Sequence, residues 1–166
     1  MLEIRQYLAA DNNAVRKLHH LALHSIGIFL SDRKWDEDLL DIENNYLNKK
    51  GEFLVGILDS KIVCMGAFRK KSNTTAEIKR MRVNPDYHRR GFGQAILNQL
   101  EVRASELGYT ELCLDTTTKQ IPAQKLYEKN GYTEVRREKI PEFELILYRK
   151  KLRAYTTIPF SSGRTT

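Results

Sequence analysis

Residues 75 to 108 constrain the fold more than any other part of the chain, because a strand pattern, a proline, two glycines and a helix pattern follow one another there. The run "TAEIKRMRV" is typical of a strand. Asn84-Pro85 ends it, since proline cannot donate to a sheet ladder and restricts the residue before it. Apolar residues then recur at helical spacing from Gly93 to Gly108, where glycine favours a helix end. The next run, "TELCLD", predicts that this helix joins two strands of one sheet.

The other segments complete the order β α α β β β α β α β β. "LEIRQYL" predicts the first strand, and Asp11 is expected to cap the first helix. Asp59-Ser60 predicts the turn of a hairpin between two apolar strands. A helix that begins near Pro122 and ends at Asn130-Gly131 precedes two closing strands.

A second helix is predicted near residues 31 to 46, with Ser31 or Asp32 as its cap. Its apolar side would consist of residues three or four apart: Trp35, Leu39, Ile42 and Tyr46. Together the patterns predict an α+β (mixed α/β) fold, with a mostly antiparallel twisted sheet of about seven strands and about four flanking helices. We expect one domain over residues 1–152 and an irregular tail over 153–166.

The charge pattern narrows the function classes. The formal charge is +7, yet residues 35–43 ("WDEDLLDIE") carry five acids and no base, which suits an anionic cofactor and a cationic substrate at separate places. No recognition-helix or zinc-finger pattern supports a nucleic-acid partner. The charged start and the short apolar windows predict a cytoplasmic protein without a membrane span. Cys64 and Cys113 lie in apolar runs without metal-ligand spacing, so we expect buried free thiols and no metal site.

The stretch "HRRGFG" has the features of an anion site at the start of a helix. Gly91 and Gly93 allow a ligand to approach the main chain, and the first N–H groups of a helix point toward such a ligand. Arg89 and Arg90 add donors suited to phosphate oxygens. On these residues alone, glycines that serve packing and two solvated arginines remain the alternative. A Walker A loop is absent, and a dinucleotide fingerprint would need a glycine where Ile96 stands.

Three segments together resemble a known family. "AEIKRMRV", "NPDYHRRGFGQAIL" and "PAQKLYEKNGY" are similar to the acetyl-CoA-binding motif and the downstream motif of the GNAT superfamily of N-acetyltransferases. In element order the resemblance covers residues 2 to about 152. It implies the acyl-CoA N-acyltransferase fold, acetyl-CoA as co-substrate without a metal, and direct attack by a primary amine in a ternary complex. A catalytically silent domain that senses acyl-CoA is the alternative.

The same resemblance assigns a cofactor site. Its pyrophosphate loop begins at His88, where the family pattern has arginine or glutamine. The strand before this loop would offer main-chain groups to the pantetheine arm, and Gln120 would offer an amide. The cofactor-binding residues expected in this way are Met81, Arg82, Val83, His88, Arg89, Arg90, Gly91, Phe92, Gly93, Gln94 and Gln120.

Acetyl transfer to an amine needs a neutral nucleophile, a donor for the oxyanion and a proton for the departing thiolate. The resemblance implies that Tyr127 supplies this proton and that Glu77 is the base. A main-chain N–H near Met81 would meet the oxyanion. Four strand residues, about 13 Å when extended, separate Glu77 from Met81, so Glu77 would act through water. A core tyrosine and a paired strand glutamate are the alternatives for these two residues.

The acceptor is expected to be a small-molecule amine or a peptide or protein amine that enters beside residues 25 to 43. Phe29 and Trp35 would form an apolar wall there. Acids of the same segment would attract an ammonium group: Asp32, Asp36 or Glu37. A core tryptophan and acids that only solvate a helix fit the same pattern. Neither nucleic acid nor a membrane is expected as a partner, and a homodimer is compatible with the sequence.

Overall fold

The structure, a computed structural model, describes residues 1–29 and 36–153. Seven strands form one sheet in the order β1-β2-β3-β4-β5-β7-β6, and all neighbours are antiparallel except β4 and β5. The strands are β1 Glu3–Gln6, β2 Glu52–Leu58, β3 Lys61–Lys70, β4 Thr75–Val83, β5 Glu111–Thr117, β6 Thr133–Lys139 and β7 Glu144–Lys151. The helices are α1 Asn12–Ser25, α2 Ile42–Asn45, α3 Phe92–Glu106 and α4 Ile121–Lys129. The predicted element order and mixed sheet are confirmed.

The two turn residues bear out the local pattern, whereas the side chain of Asp11 does not cap the first helix as expected. Asp59 and Ser60 take left-handed φ angles of 49° and 64°, which suit a two-residue hairpin turn. Asp11 directly precedes α1, but its carboxylate does not bond to that helix. It accepts from the guanidinium of Arg5 at 2.7 and 3.0 Å and from the N–H of Leu8 at 2.8 Å, so it ties the start of α1 to β1.

The second helix was wrong as a continuous element. Short turns replace it: 3-10 turns at Glu37–Leu40 and Leu47–Lys49, with α2 between them. Asp41 leaves helical geometry, with φ −146° and ψ 75°, and its carboxylate accepts the N–H of Asn44 at 3.2 Å. An aspartate that bonds to nearby main chain competes with helix continuation in this way. The positions proposed for the helix start and its tryptophan lie outside the described residues: Ser31, Asp32 and Trp35.

Apolar side chains are buried on both faces of the sheet. On one face, α3 and α4 contribute Ile96, Leu97, Leu100 and Tyr127 to the core. On the other face, α1 and the turns after it contribute Val15, Leu18, Leu39, Ile42 and Tyr46. The two thiols, Cys64 and Cys113, are free and buried as predicted. Of the predicted tail, only Arg153 lies within the described residues.

Candidate functional site: a cleft between two parallel strands

The parallel strands β4 and β5 separate soon after they meet. They pair only from Thr75 opposite Glu111 to Glu77 opposite Cys113, although β4 continues to Val83 and β5 to Thr117. A cleft of about 230 Å³ opens where they diverge. Its lining comes from the end of α1 and the residues after it, from β4, β5 and α4, and from the start of β7 with the loop before it. On the side away from β3, the main-chain groups of β4 beyond Glu77 therefore have no strand partner and face this opening.

A β-bulge directs the side chains of β4 at the cleft. Lys79 lies opposite Ala67 and Arg82 opposite Met65, so two residues of β4 oppose Gly66 alone. Arg80, within the bulge, has φ 59°. A side chain at Gly66 would place its Cβ 2.5 Å from both Ile96 and Met81, so only glycine fits there. The bulge puts Lys79 and Arg82 on one face of the sheet, although strict alternation would place them on opposite faces.

The glycine loop predicted to bind pyrophosphate is built as an anion site. Arg89 and Gly91 both have left-handed φ angles, 60° and 78°, and Gly91 is the N-cap of α3. The first helical bond runs from the N–H of Ala95 to the carbonyl of Gly91 at 3.0 Å. The three N–H groups before it, at residues 92 to 94, precede the first helical bond and point out of the helix end. This geometry supports the predicted role of the loop.

The side chains of this loop differ in whether they are free to contact a ligand. His88, Arg89 and Arg90 are exposed, and the guanidinium carbon of Arg90 lies 5.4 Å from the ring centroids of both Tyr87 and Phe92. The Gln94 side chain is not directed to a ligand. It exchanges amide hydrogen bonds of 2.8 Å with Asn130 and so joins α3 to the end of α4. The prediction that Gln94 binds cofactor is therefore limited to its main-chain N–H.

Tyr127, which the sequence predicts to be the proton donor, is a largely buried residue of α4. Only 4% of the residue is exposed, yet it lines the cleft and its hydroxyl makes no hydrogen bond to any described residue. The hydroxyl oxygen is also not among the buried unpartnered atoms of the described chain, so it remains open to the cleft. Burial raises the pKa of Tyr127 to about 12, while Arg82 opposes this shift. The phenol therefore stays protonated at neutral pH.

Gln120 and Thr117 lie where β5 passes into α4. The side-chain oxygen of Gln120 accepts from the hydroxyl of Thr116 at 2.8 Å and from the N–H of Thr117 at 3.1 Å. These bonds leave the amide NH₂ of Gln120 for a ligand in the cleft. The hydroxyl of Thr117 is the one buried side-chain polar atom without a partner in the described parts of the chain. Such a group is costly when left unpaired, and it lines the same cleft.

Glu77 lines the cleft, as predicted, but it is already engaged. Its carboxylate lies 3.0 Å from Nε of Arg69, which is its cross-strand partner on β3. Asp115 is the second carboxylate on the cleft, and burial raises its pKa, while Lys79 opposes the shift. The sequence analysis missed Asp115. Cys113 lies opposite Glu77, and Asp115, two residues further along the strand, points to the same face of the sheet as Glu77.

A buried histidine that the sequence did not reveal holds Arg82 in place. His19 on α1 is fully buried, and its Nδ1 accepts from Nε of Arg82 at 3.3 Å. Its Nε2 lies 2.8 Å from a carboxylate oxygen of Asp36. Burial, with Arg82 and Arg80 nearby, lowers the pKa of His19 to about 4. No local pattern signals this contact, because 63 residues separate the two partners.

The described residues contain no group of three or more metal-ligating side chains, and none of their helices is long and apolar enough to cross a membrane. Phe29 packs near His24, with 4.8 Å between ring centroids, and Asp36 contacts His19. Neither residue lines the cleft, so the predicted acceptor wall is not formed by Phe29. Leu23 and Ile28 from the end of α1 line the cleft in its place.

Solved structures of known proteins share this architecture. A GNAT-family acetyltransferase from Staphylococcus aureus matches with a TM-score of 0.85 and 25% identity, covering 92% of this chain and 100% of that chain. The PaiA N-acetyltransferase from Thermoplasma acidophilum, solved in complex with coenzyme A, matches with a TM-score of 0.76 and 19% identity, covering 91% and 99%. The mixed sheet that opens beside a glycine-started helix is thus the fold of the GNAT acyl-CoA N-acyltransferases.

The sequence comparisons identify the family. Residues 10–132 match the model of the acetyltransferase (GNAT) family. N-acetylaspartate synthetase of Xenopus tropicalis is 33% identical over 100 residues, which are 59% of this chain and 37% of that protein. Human N-acetyltransferase 8 is 30% identical over 118 residues, which are 63% and 52% of the two chains. The chain spans about half, or less, of the length of these relatives. Because the family model matches most of the chain, the protein belongs to the acetyltransferase (GNAT) family.

Proposed function

We propose that this protein transfers the acetyl group of acetyl-CoA to a primary amine by direct attack in a ternary complex. The observation that carries the proposal is the cleft between β4 and β5, which Tyr127 lines with a hydroxyl that has no hydrogen-bond partner among the described residues. Family membership supports the same activity.

Different residues of the loop and the cleft would bind the cofactor and transfer protons. The main chain of residues 89 to 94 would bind the pyrophosphate, and Met81 to Val83 with Gln120 would bind the pantetheine arm. The amine nitrogen attacks the thioester carbonyl carbon, the carbon–sulfur bond breaks, and Tyr127 gives its hydroxyl proton to the departing thiolate. The proton that the amine loses goes to a carboxylate through water. Glu77 remains the proposed base, with Asp115 as the second carboxylate in reach of the cleft.

The acceptor is a small-molecule amine or a peptide or protein amine, and a cytoplasmic location and a possible homodimer are parts of the proposal that rest on sequence alone. One relative is named for the synthesis of N-acetylaspartate, an N-acetylated amino acid. That name makes amino acids the first acceptors to test.

An amine panel tests the function. The protein is first melted with and without CoA, and a rise in melting temperature reports cofactor binding. It is then incubated with acetyl-CoA and single amines, amino acids, lysine peptides and free peptide N-termini, while release of the CoA thiol is measured. Turnover with at least one class supports the proposal. CoA binding without turnover of any class would replace it by the acyl-CoA sensor.

A further inference from the structure

Two cations on the cleft have no carboxylate partner. Arg82 donates from Nε to His19 and from Nη1 to the carbonyl of Met81 at 2.8 Å, and forms no salt bridge with a described residue. Its Nη2 has no hydrogen bond and is not among the sealed polar atoms of the described chain, so solvent reaches it. Lys79 also has no hydrogen bond or ion pair in the part of the chain that is described. Both residues line the cleft on the same face of the sheet.

The orientation of Arg82 is fixed before any ligand arrives. Because the pKa of His19 is lowered to about 4, its ring is neutral at pH 7. The ring then donates from Nε2 to Asp36 and accepts from Arg82 at Nδ1. With the carbonyl of Met81 on the other side, these bonds hold the guanidinium plane and leave its Nη2 edge for the cleft. A guanidinium presented in this way is suited to a carboxylate.

The opposite charge is also present in the cleft. Asp115 has no ion pair or hydrogen bond among the described residues, and it lies near enough to Lys79 for each to shift the pKa of the other. The two do not approach within salt-bridge distance, which would have cancelled both charges. The unpartnered hydroxyl of Thr117 lies on the same strand as Asp115. The cleft therefore holds unpaired groups for an anion and for a cation side by side.

The surroundings favour an anionic ligand further. A second groove, of about 850 Å³, shares the residue Glu77 with the cleft. Its cations outnumber its two carboxylates, Asp38 and Glu77: they are Lys49, Lys50, Arg69, Lys70 and Lys71. Such a surface raises the local concentration of anions beside the cleft.

We propose that the acetyl acceptor is an amine that also carries a carboxylate, such as a free amino acid. Its carboxylate binds Arg82 and Lys79, and its ammonium group lies toward Asp115. In this pose Asp115, the second carboxylate on the cleft, accepts through water the proton that the ammonium group loses before attack. The proposal rests on the proposed acetyl transfer and adds the substrate class. An amine without a carboxylate leaves Arg82 desolvated and unpaired, which disfavours its binding.

Matched acceptors test this class. Each L-amino acid is compared with its own carboxamide and with the amine that lacks the carboxyl group, and kcat/KM is measured by thiol release. We expect the amino acids to exceed their carboxamides by about 10- to 100-fold, the range expected for charged hydrogen bonds. Arg82→Gln and Lys79→Gln should each reduce this ratio, and Arg82→Lys should restore part of it. Arg136→Gln, at an exposed cation of β6 outside the cleft, should leave the ratio unchanged.

The outcomes separate the two proposals. Turnover of amides and amino acids at equal rates overturns the substrate class and leaves acetyl transfer intact. Where no amine is turned over, binding decides: N-acetyl amino acids and their carboxamides are titrated calorimetrically into the CoA complex of the wild type and of Arg82→Gln. Tighter binding of the acids, lost in the variant, supports the inference even then. Equal binding, or none, overturns it. Melting curves of each variant with CoA show whether the fold is retained.

Discussion

The substitution Tyr127→Phe removes a single oxygen and separates the catalytic role of this residue from a packing role. Only 4% of the residue is exposed, and its ring stays in the core. The hydroxyl has no hydrogen-bond partner among the described residues, so its loss leaves no native group unpaired. We therefore expect the free energy of unfolding to change by less than about 1 kcal/mol. Affinity for CoA should also be retained.

Catalysis should respond very differently. A positioned general acid contributes about 100- to 10,000-fold, so kcat should fall by a factor in this range. Since the pKa of Tyr127 is raised to about 12, the wild-type phenol remains protonated throughout an ordinary assay. The variant should thus lose rate by a similar factor at every pH between about 6 and 10, with no new alkaline limb. The rate is followed by thiol release with the best acceptor from the amine panel.

Tyr132→Phe is the matched control. The hydroxyl of Tyr132 donates to a carboxylate oxygen of Glu101 at 2.9 Å, and the residue does not line the cleft. Here the unfolding free energy should fall by about 1.5–3 kcal/mol while kcat is unchanged, because hydrogen bonds to charged groups contribute that much. If Tyr127→Phe keeps the wild-type kcat, or loses stability as Tyr132→Phe does, Tyr127 is a core residue and the proton donor lies elsewhere.

Two further predictions concern the glycine loop and the buried histidine. Gly91→Ala should weaken CoA binding, measured by calorimetry, because a φ of 78° costs a non-glycine residue about 1–2 kcal/mol. Gly93→Ala is the control: its Cβ would meet Leu126 at an ordinary 3.6 Å, so this variant should bind CoA nearly as well as the wild type. Equal losses would show that the loop acts otherwise. The pKa of His19 is lower in the folded chain than in the unfolded chain, so the unfolded chain binds a proton first as pH falls. The free energy of unfolding should therefore drop by up to about 3 kcal/mol between pH 6.5 and 4. Urea unfolding at a series of pH values measures this change. His19→Asn should lack this component and His24→Gln should keep it, and equal slopes in the two variants would contradict the assignment.

The sequence predicts the parts of the molecule in which neighbours along the chain determine the geometry. The strand ending at Asn84, the glycine start of α3 and the two-residue turn at Asp59-Ser60 all depend on residues within a few positions. The second helix fails for a related reason. Its apolar residues have helical spacing and are buried, but Asp41 bonds to the main chain beside it and breaks the helix into turns. Periodicity reports which residues are buried, not whether the main chain between them is continuous.

The charged side chains of the cleft could not be predicted from neighbouring residues, for a different physical reason. Its charged groups depend on the bulge opposite Gly66, which reverses the face of Arg82 relative to simple alternation. They also depend on His19, which reaches Arg82 from another element. Both contacts exist only after the sheet and α1 have assembled. The glycine loop, in contrast, presents its own N–H groups and needs no such partner. In the proposed function this local main-chain site would bind the cofactor, and the distant side chains around the cleft would determine which amine is accepted.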